Sequence, residues 1–371
     1  MNKLNNIVFW AHSYCRSTLK FYSELAKNLG KNCYIYTWIK DLDLRTSTGF
    51  SNAEFKDLKV VHIGDDYELA KETLMKHLND YNIFCAYQAC PIYQHLIRIL
   101  IKRKSRYGII SEAPCNMHDY PKRIINSVYQ RIYLPFKLKD IIENADFIMN
   151  ASGYYETELH NLGWKDTQII SCGYYPPRLP GSKLVERNEK HWSDFTILLS
   201  GLHQWHRSPW ILLEALSVLK GKGIMPKCYI TQSGPYIEKA KKYATKHQLS
   251  NVDFLGFVEM PKLIQLYETC SVYVGCGNYE PWGMRLNDCL LCGTPLIVNR
   301  GMGGVKLVDQ YDCGLSFNRN DCSSLAEAIE SLMTDKSAYL KIARKAVVAA
   351  NAILPENAAK EYADRITDHI V

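Results

Sequence analysis

The side chains best placed for chemistry lie in Glu280-Pro281-Trp282-Gly283-Met284-Arg285-Leu286-Asn287-Asp288 and, shortly after, Gly301-Met302-Gly303-Gly304. Glu280 and Asp288 are eight positions apart, two turns of a helix, and ionised carboxylates at that spacing accept hydrogen bonds from the hydroxyls of a ligand. Gly303 and Gly304 open a helix expected from about Val305. A helix start of that kind can turn backbone amides toward a phosphate oxygen, and glycine permits the close approach. Other chemistries are less well furnished. His203 and His206 form H-x-x-H with no visible third ligand, and Cys289 and Cys292 form C-x-x-C with no second pair, whereas a structural zinc site needs four ligands. No metal is expected. No Cys-His or Ser-His dyad stands out, and His12 and His118 are loop histidines.

These residues need elements to hold them. Apolar runs of strand length at residues 7–10, 32–38, 60–63, 83–87, 108–111, 145–150 and 168–171 alternate with helical patterns such as 17–29 and 69–78. The alternation predicts a parallel sheet with helical crossovers. A second series follows: strands at 195–200, 227–231, 252–254, 272–275 and 295–299, helices at 209–220, 237–247, 263–270 and 283–292. Between them, Pro176, Pro177, Pro180, Gly181 and a charged run read as a linker. The expected organisation is a Rossmann-like domain over 1–175, a linker over 176–193, a second Rossmann-like domain over 194–352, and a final helix over 353–371 crossing back to the first domain. Two doubly wound domains bind ligands at the carboxyl ends of their strands.

At 371 residues the chain exceeds what one hydrophobic core usually serves. With 47% hydrophobic and 22% charged residues it is neither disordered nor fibrous. Thirteen cysteines without framework spacing point to reduced thiols and a cytoplasmic location, and the short apolar N-terminal stretch is not an export signal. No apolar run is long enough to span a membrane. The net charge of +7 carries no nucleic-acid reader motif, so a nucleic-acid partner is not expected. Arg98 to Arg106 follow an apolar run at 92–101, and Lys122, Arg123, Arg131, Lys137 and Lys139 interleave with Ile124, Ile125, Tyr133, Leu134 and Phe136. That interleaving predicts either solvated helix faces or a peripheral contact with an anionic membrane on its inner face.

The 280–304 segment resembles the group 1 glycosyltransferases, a retaining family of GT-B fold, two Rossmann-like doubly wound domains facing a cleft. Its E-P-x-G, second acid eight positions on, G-x-P-[VL]-I (here Gly293-Thr294-Pro295-Leu296-Ile297) and Gly-Gly loop are all in register. Upstream, Gly201, the helix residues Leu212, Glu214 and Ala215, the turn Ser233-Gly234-Pro235 and Phe254-Leu255-Gly256 also match, as do Asp321, Leu325, Ala326 and Ile329 downstream. The first domain matches more weakly, through Ala145-Asp146, Ser152, Leu159 and Gly173. The resemblance implies transfer of a sugar from a UDP- or GDP-linked donor to a glycan or polyprenyl-linked acceptor, as in bacterial surface polysaccharide synthesis, without a metal cofactor.

On that reading Glu280 contacts the donor sugar, Asp288 the ribose, Arg207 and the Gly303, Gly304 and Val305 amides the diphosphate, and Phe257 and Val258 the base. Gly201, Gly283, Met284 and Ser13 also fall at the donor, and the leaving diphosphate draws the acceptor proton. The sequence departs from the family where Leu202 replaces the first of two basic residues, which His203, His206 or Arg16 could replace, and where Ala11-His12-Ser13-Tyr14 replaces a glycine-rich loop. The family's first-domain histidine has no clean counterpart, leaving Glu112 or His118 to face the reacting carbon. Two other readings stand beside transfer: a nucleotide-sugar epimerase of the same fold, and a non-catalytic nucleotide-sugar-binding scaffold subunit.

Overall fold

The computed structural model describes residues 6–39, 58–114, 128–201, 209–231, 234 and 236–370. The chain forms two compact units, Met1–Pro177 with Pro355–Val371, and Arg178–Leu354.

The first unit runs β1 (Asn6–Ser13), α1 (Leu19–Asn28), β2 (Asn32–Ile39), β3 (Val60–His62), α2 (Tyr67–Lys76), β4 (Tyr81–Cys85), α3 (Pro91–Lys102), β5 (Tyr107–Ser111), α4 (Leu134–Asn144), β6 (Ile148–Asn150), α5 (Glu156–Leu162) and β7 (Ile169–Ser171). Its sheet has the order β3-β2-β1-β4-β5-β6-β7, every pairing parallel. A strand at the centre of such a sheet is covered on both faces and loses the alternation of a half-exposed strand. In β1, Ile7 to Ala11 are accordingly all buried. The strand order reverses between β1 and β4, and that is where a doubly wound sheet opens a crevice.

The last helix, α14 (Pro355–Ile370), belongs to this unit and packs on α1. Its buried Tyr362 hydroxyl lies 2.8 Å from that of Tyr175 and donates to the Ser171 carbonyl at 3.1 Å.

The basic stretches separate in the structure. In α3 the run at 92–101 buries Tyr93, Leu96, Ile97 and Leu100 in the core, and Arg98 turns to Asp140 of α4 at 2.7 Å. That helix is a core element, not an interfacial one. The π-helical turn Tyr129–Tyr133 and the start of α4 instead leave Val128, Tyr129, Ile132, Tyr133 and Phe136 exposed, Phe136 at 84%.

The second unit contains α6 (Glu189–Ser193), β8 (Thr196–Leu199), α7 (Trp210–Gly221), β9 (Lys227–Thr231), α8 (Ile237–Lys246), β10 (Val252–Gly256), α9 (Met260–Thr269), β11 (Val272–Gly275), α10 (Met284–Leu291), β12 (Leu296–Asn299), α11 (Val305–Tyr311), β13 (Gly314–Phe317), α12 (Cys322–Thr334) and α13 (Lys336–Ala352). Its parallel sheet has the order β10-β9-β8-β11-β12-β13, with the reversal between β8 and β11.

Residues 178–193, expected as part of a linker, are built into this unit. Arg187 is 1% exposed, and its guanidinium donates to the carbonyls of Cys270 (2.7 Å), Val185 (2.6 Å) and Tyr267 and to Thr294 Oγ1 (2.6 Å). Helix ends leave carbonyls without partners, and a long cationic side chain satisfies several at once. The charged composition that reads as a linker is here the cap on the end of α9.

Candidate functional site

In the second unit two loops leave the carboxyl edge of the sheet side by side. One runs from β11 through Glu280 to α10, the other from β12 through Gly301–Gly304 to α11. They are zipped together: Glu280 and Met302 form a parallel bridge, the Glu280 N–H donates to the Gly301 carbonyl at 3.3 Å, and the Gly303 N–H returns to the Glu280 carbonyl at 2.9 Å. One step on, the Gly304 N–H donates to the Trp282 carbonyl at 2.9 Å. The buried Asn299 side chain accepts from the Gly301 N–H (2.7 Å) and donates to Asn278 Oδ1 (2.9 Å), while Trp282 Nε1 donates to Asn287 Oδ1 (2.6 Å).

Gly303, Gly304 and Val305, expected at the diphosphate, are part of this contact. The two glycine amides are engaged by carbonyls of the Glu280 loop, and the Val305 N–H by Met302 at 3.1 Å, so in this arrangement they brace a carboxylate loop. The glycines are there for approach. A Cβ on Gly304 would stand 2.5 Å from Leu286 Cδ1 and 2.6 Å from the Trp282 carbonyl oxygen, and one on Gly301 would run into the Asn278 carbonyl. Gly283, the residue before α10, has φ +98°, a conformation open to glycine and strained for other residues.

The brace holds Glu280 at 7% exposure at the mouth of α10, with Asp288 at 2% in the body of that helix. Arg285, a residue the sequence reading passed over, lies between them. Its Nη1 is 3.8 Å from Asp288 Oδ2 and donates to the Tyr267 hydroxyl at 3.2 Å. Tyr267 in turn lies 3.1 Å from Ser200 Oγ, beside Gly201 (φ +130°) at the end of β8. The second sheet's switch point is thus lined by Ser200, Gly201, Tyr267 and Arg285. Met284 is half-buried in the first turn of α10. After β10, Phe257 is 55% exposed while Val258 is buried. Cys289 and Cys292 are both buried, and burial pushes the Cys292 thiol up to about 12. Arg207, Leu202, His203, His206 and His118 lie outside the described residues. Among the described residues no group of three or more His, Cys, Asp or Glu side chains is arranged to hold a metal.

The first unit has its own cavity, about 410 Å³, at the carboxyl ends of β1, β4 and β5. Ser13 and Glu112, predicted for different tasks, both line it, with His12, Gln88, Ser111 and Tyr174. Glu112 Oε1 accepts from the Tyr174 hydroxyl at 2.9 Å. Burial and then the neighbouring carboxylate push that hydroxyl well above the ordinary tyrosine range, so it stays a donor at neutral pH. Tyr174 carries no motif, which is why residue patterns alone did not single it out.

The loop brace can be tested without any ligand. Gly304→Ala is expected to cost about 1–3 kcal/mol of stability, the usual penalty for overpacking. A chemical denaturation midpoint equal to wild type would show that the two loops are not held as described.

Residues 183–348 match the family model described as glycosyl transferases group 1. Among curated proteins, the GDP-mannose-dependent alpha-(1-6)-phosphatidylinositol dimannoside mannosyltransferase of Mycobacterium tuberculosis is 22% identical over 195 residues, 52% of this chain and 50% of that protein. The glycogen synthase of the same species is 28% identical over 116 residues, 31% of this chain and 27% of that one. The chain thus spans about half the length, or less, of these curated relatives. Among solved structures, Anabaena HepE in complex with UDP superimposes with a TM-score of 0.69 at 14% identity, covering 98% of this chain and 100% of that one. The apo form of the lipopolysaccharide outer core galactosyltransferase WaaB gives 0.64 at 12% identity, covering 98% and 100%. These likenesses show the fold, two Rossmann-like domains of the GT-B type. With the paired-carboxylate motif in place, the second unit of this chain is similar in sequence, over residues 183–348, to the group 1 glycosyl transferases.

Proposed function

We propose that this protein is a retaining glycosyltransferase that takes a sugar from a nucleoside diphosphate donor held by the second unit and passes it to a glycan or lipid-linked acceptor held by the first. The observation that carries the reading is the pair Glu280 and Asp288, two buried carboxylates set by a braced loop at a sheet's switch point. Sugar and ribose hydroxyls are the complementary groups, with Glu280 on the donor sugar and Asp288 on the ribose. The mycobacterial relative is named for GDP-mannose and the Anabaena structure holds UDP, so the proposed donor class is a UDP- or GDP-sugar. On this reading the departing diphosphate takes the acceptor proton, so the transfer needs neither a dedicated protein base nor a metal. The cavity of the first unit, with the Glu112–Tyr174 pair, is the proposed acceptor pocket.

A role in bacterial surface polysaccharide synthesis, on the cytoplasmic face of the membrane, fits a further feature of the first unit. Ile132, Tyr133 and Phe136 are exposed beside Arg131, Lys137 and Lys139, the make-up of a surface that settles on anionic lipid. No described helix is long and apolar enough to cross a membrane.

Two measurements follow. In a thermal-shift panel of UDP, GDP, ADP and their sugar conjugates, one nucleotide family should raise the melting temperature, since a ligand at a hundred times its Kd adds about 2.7 kcal/mol. Asp288→Ala should remove that shift, and no shift with any nucleotide would defeat the donor assignment. For the surface, the protein should sediment with phosphatidylglycerol-containing vesicles and not with phosphatidylcholine alone, and Ile132→Ser with Phe136→Ser should release it. Equal binding to both vesicles, or to neither, would rule out the lipid contact.

A further inference from the structure

Between β4 and α3 the backbone takes a conformation that its residue does not favour. Ala86, directly after β4, has φ +51°, in the left-handed region where a residue with a Cβ is strained. Such strain persists only where the surroundings over-determine it, and here they do. The Ala86 carbonyl accepts from the Ala89 and Cys90 N–H groups, both at 2.9 Å. The buried side-chain amide of Gln94 donates to the Tyr87 carbonyl at 2.8 Å and to the Gln88 carbonyl at 3.2 Å. The buried Tyr87 hydroxyl accepts from Trp164 Nε1 at 3.1 Å. The turn held in this way brings Gln88 to the wall of the first unit's cavity, with Ser111 and Glu112. Gln88 Nε2 donates to the main-chain carbonyl of Glu112 at 3.2 Å and lies 3.4 Å from the Tyr87 hydroxyl. A main-chain carbonyl only accepts, so the NH2 end of the carboxamide faces it and the oxygen end is turned away.

We propose that Gln88 is a specificity-determining contact of the acceptor, its Oε1 taking a hydrogen bond from a sugar hydroxyl in that cavity. The assignment rests on the acceptor-pocket reading above. Glu112 serves it twice, since its carbonyl fixes the Gln88 carboxamide and its carboxylate, which accepts from Tyr174, stands as a second acceptor on the same wall. Two acceptors brought together call for a ligand rich in O–H donors, and a sugar is one. Because Nε2 is already held, the oxygen is aimed before a ligand arrives and little side-chain freedom remains to be lost on binding. A site built to accept from a hydroxyl also rejects an analogue that lacks it, because its own polar atom is left unmatched. The strain at Ala86 is thus maintained for the placing of Gln88.

The alternative is that the turn only joins β4 to α3. Saturation-transfer NMR on the full chain separates the two, using the methyl glycosides of glucose, galactose, mannose and N-acetylglucosamine. For whichever binds, the same measurement is made on analogues with each hydroxyl in turn replaced by hydrogen. In wild type one deoxy analogue should bind about three- to tenfold more weakly than its parent, the cost of one neutral hydrogen bond. Gln88→Met should weaken the parent by a similar factor and bind the parent and that analogue equally, with the nucleotide-induced rise in melting temperature unchanged. A merely structural role would weaken parent and analogues together and leave the discrimination intact. That result, or parent affinity equal to wild type, overturns the assignment. Should Gln88→Met fail to fold, Gln88→Ala removes the same group and is judged by the same comparison. Wild-type protein that binds none of the glycosides would overturn the acceptor-pocket reading itself, and this assignment with it.

Discussion

Everything proposed for the second unit depends on one short parallel contact, the bridge between Glu280 and Met302 and the backbone hydrogen bonds on either side of it. Loops are where a doubly wound fold keeps its chemistry, yet an unsupported loop samples many conformations and fixing each residue costs on the order of 1–2 kcal/mol. Here two loops from adjacent strands fix each other. The Gly301 and Gly304 positions lack side chains because the opposite backbone occupies that space, and the buried amide of Asn299 closes the turn from beneath. A carboxylate held this way is placed before any ligand arrives, which is what differential stabilisation of a transition state requires.

The same economy recurs further out. Arg187 collects the carbonyls at the end of α9 and so fixes Tyr267, whose hydroxyl meets both Ser200 and Arg285. A buried cation remote in sequence thereby sets the position of the hydroxyl that Ser200 and Arg285 share. The first unit works differently: its cavity sets hydroxyls, an amide and the Glu112–Tyr174 pair beside small apolar side chains such as Ala86, Ala89 and Ala113. Such a lining offers many directional contacts to a polar ligand and encodes its identity in small side-chain changes.

Much of this was legible in the residues. The strand and helix alternation predicts both parallel sheets because buried central strands such as β1 are nearly continuous apolar runs, and the spacing of Glu280 and Asp288 points to α10 as the proposed donor helix. Two things were not legible. The Gly303-Gly304 pair has the composition of an anion-binding turn, but composition does not say which acceptor an amide finds, and here a neighbouring loop takes both. Arg187 reads as a linker charge because burial of a cation depends on carbonyls more than eighty residues away in sequence, which no local window contains. Tyr174 and Arg285 escaped notice for the same reason, since their partners are set by tertiary contact.

The most direct test of the account is the rate of sugar transfer in Glu280→Gln, measured beside its nucleotide affinity. A near-isosteric change keeps the braced loop and removes the charge. Transfer should fall by at least about 10²–10³-fold, the range seen when one preorganised polar contact is lost, while nucleoside diphosphate affinity stays within about twofold of wild type. Transfer within a few fold of wild type would contradict the claim that this braced carboxylate holds the donor sugar.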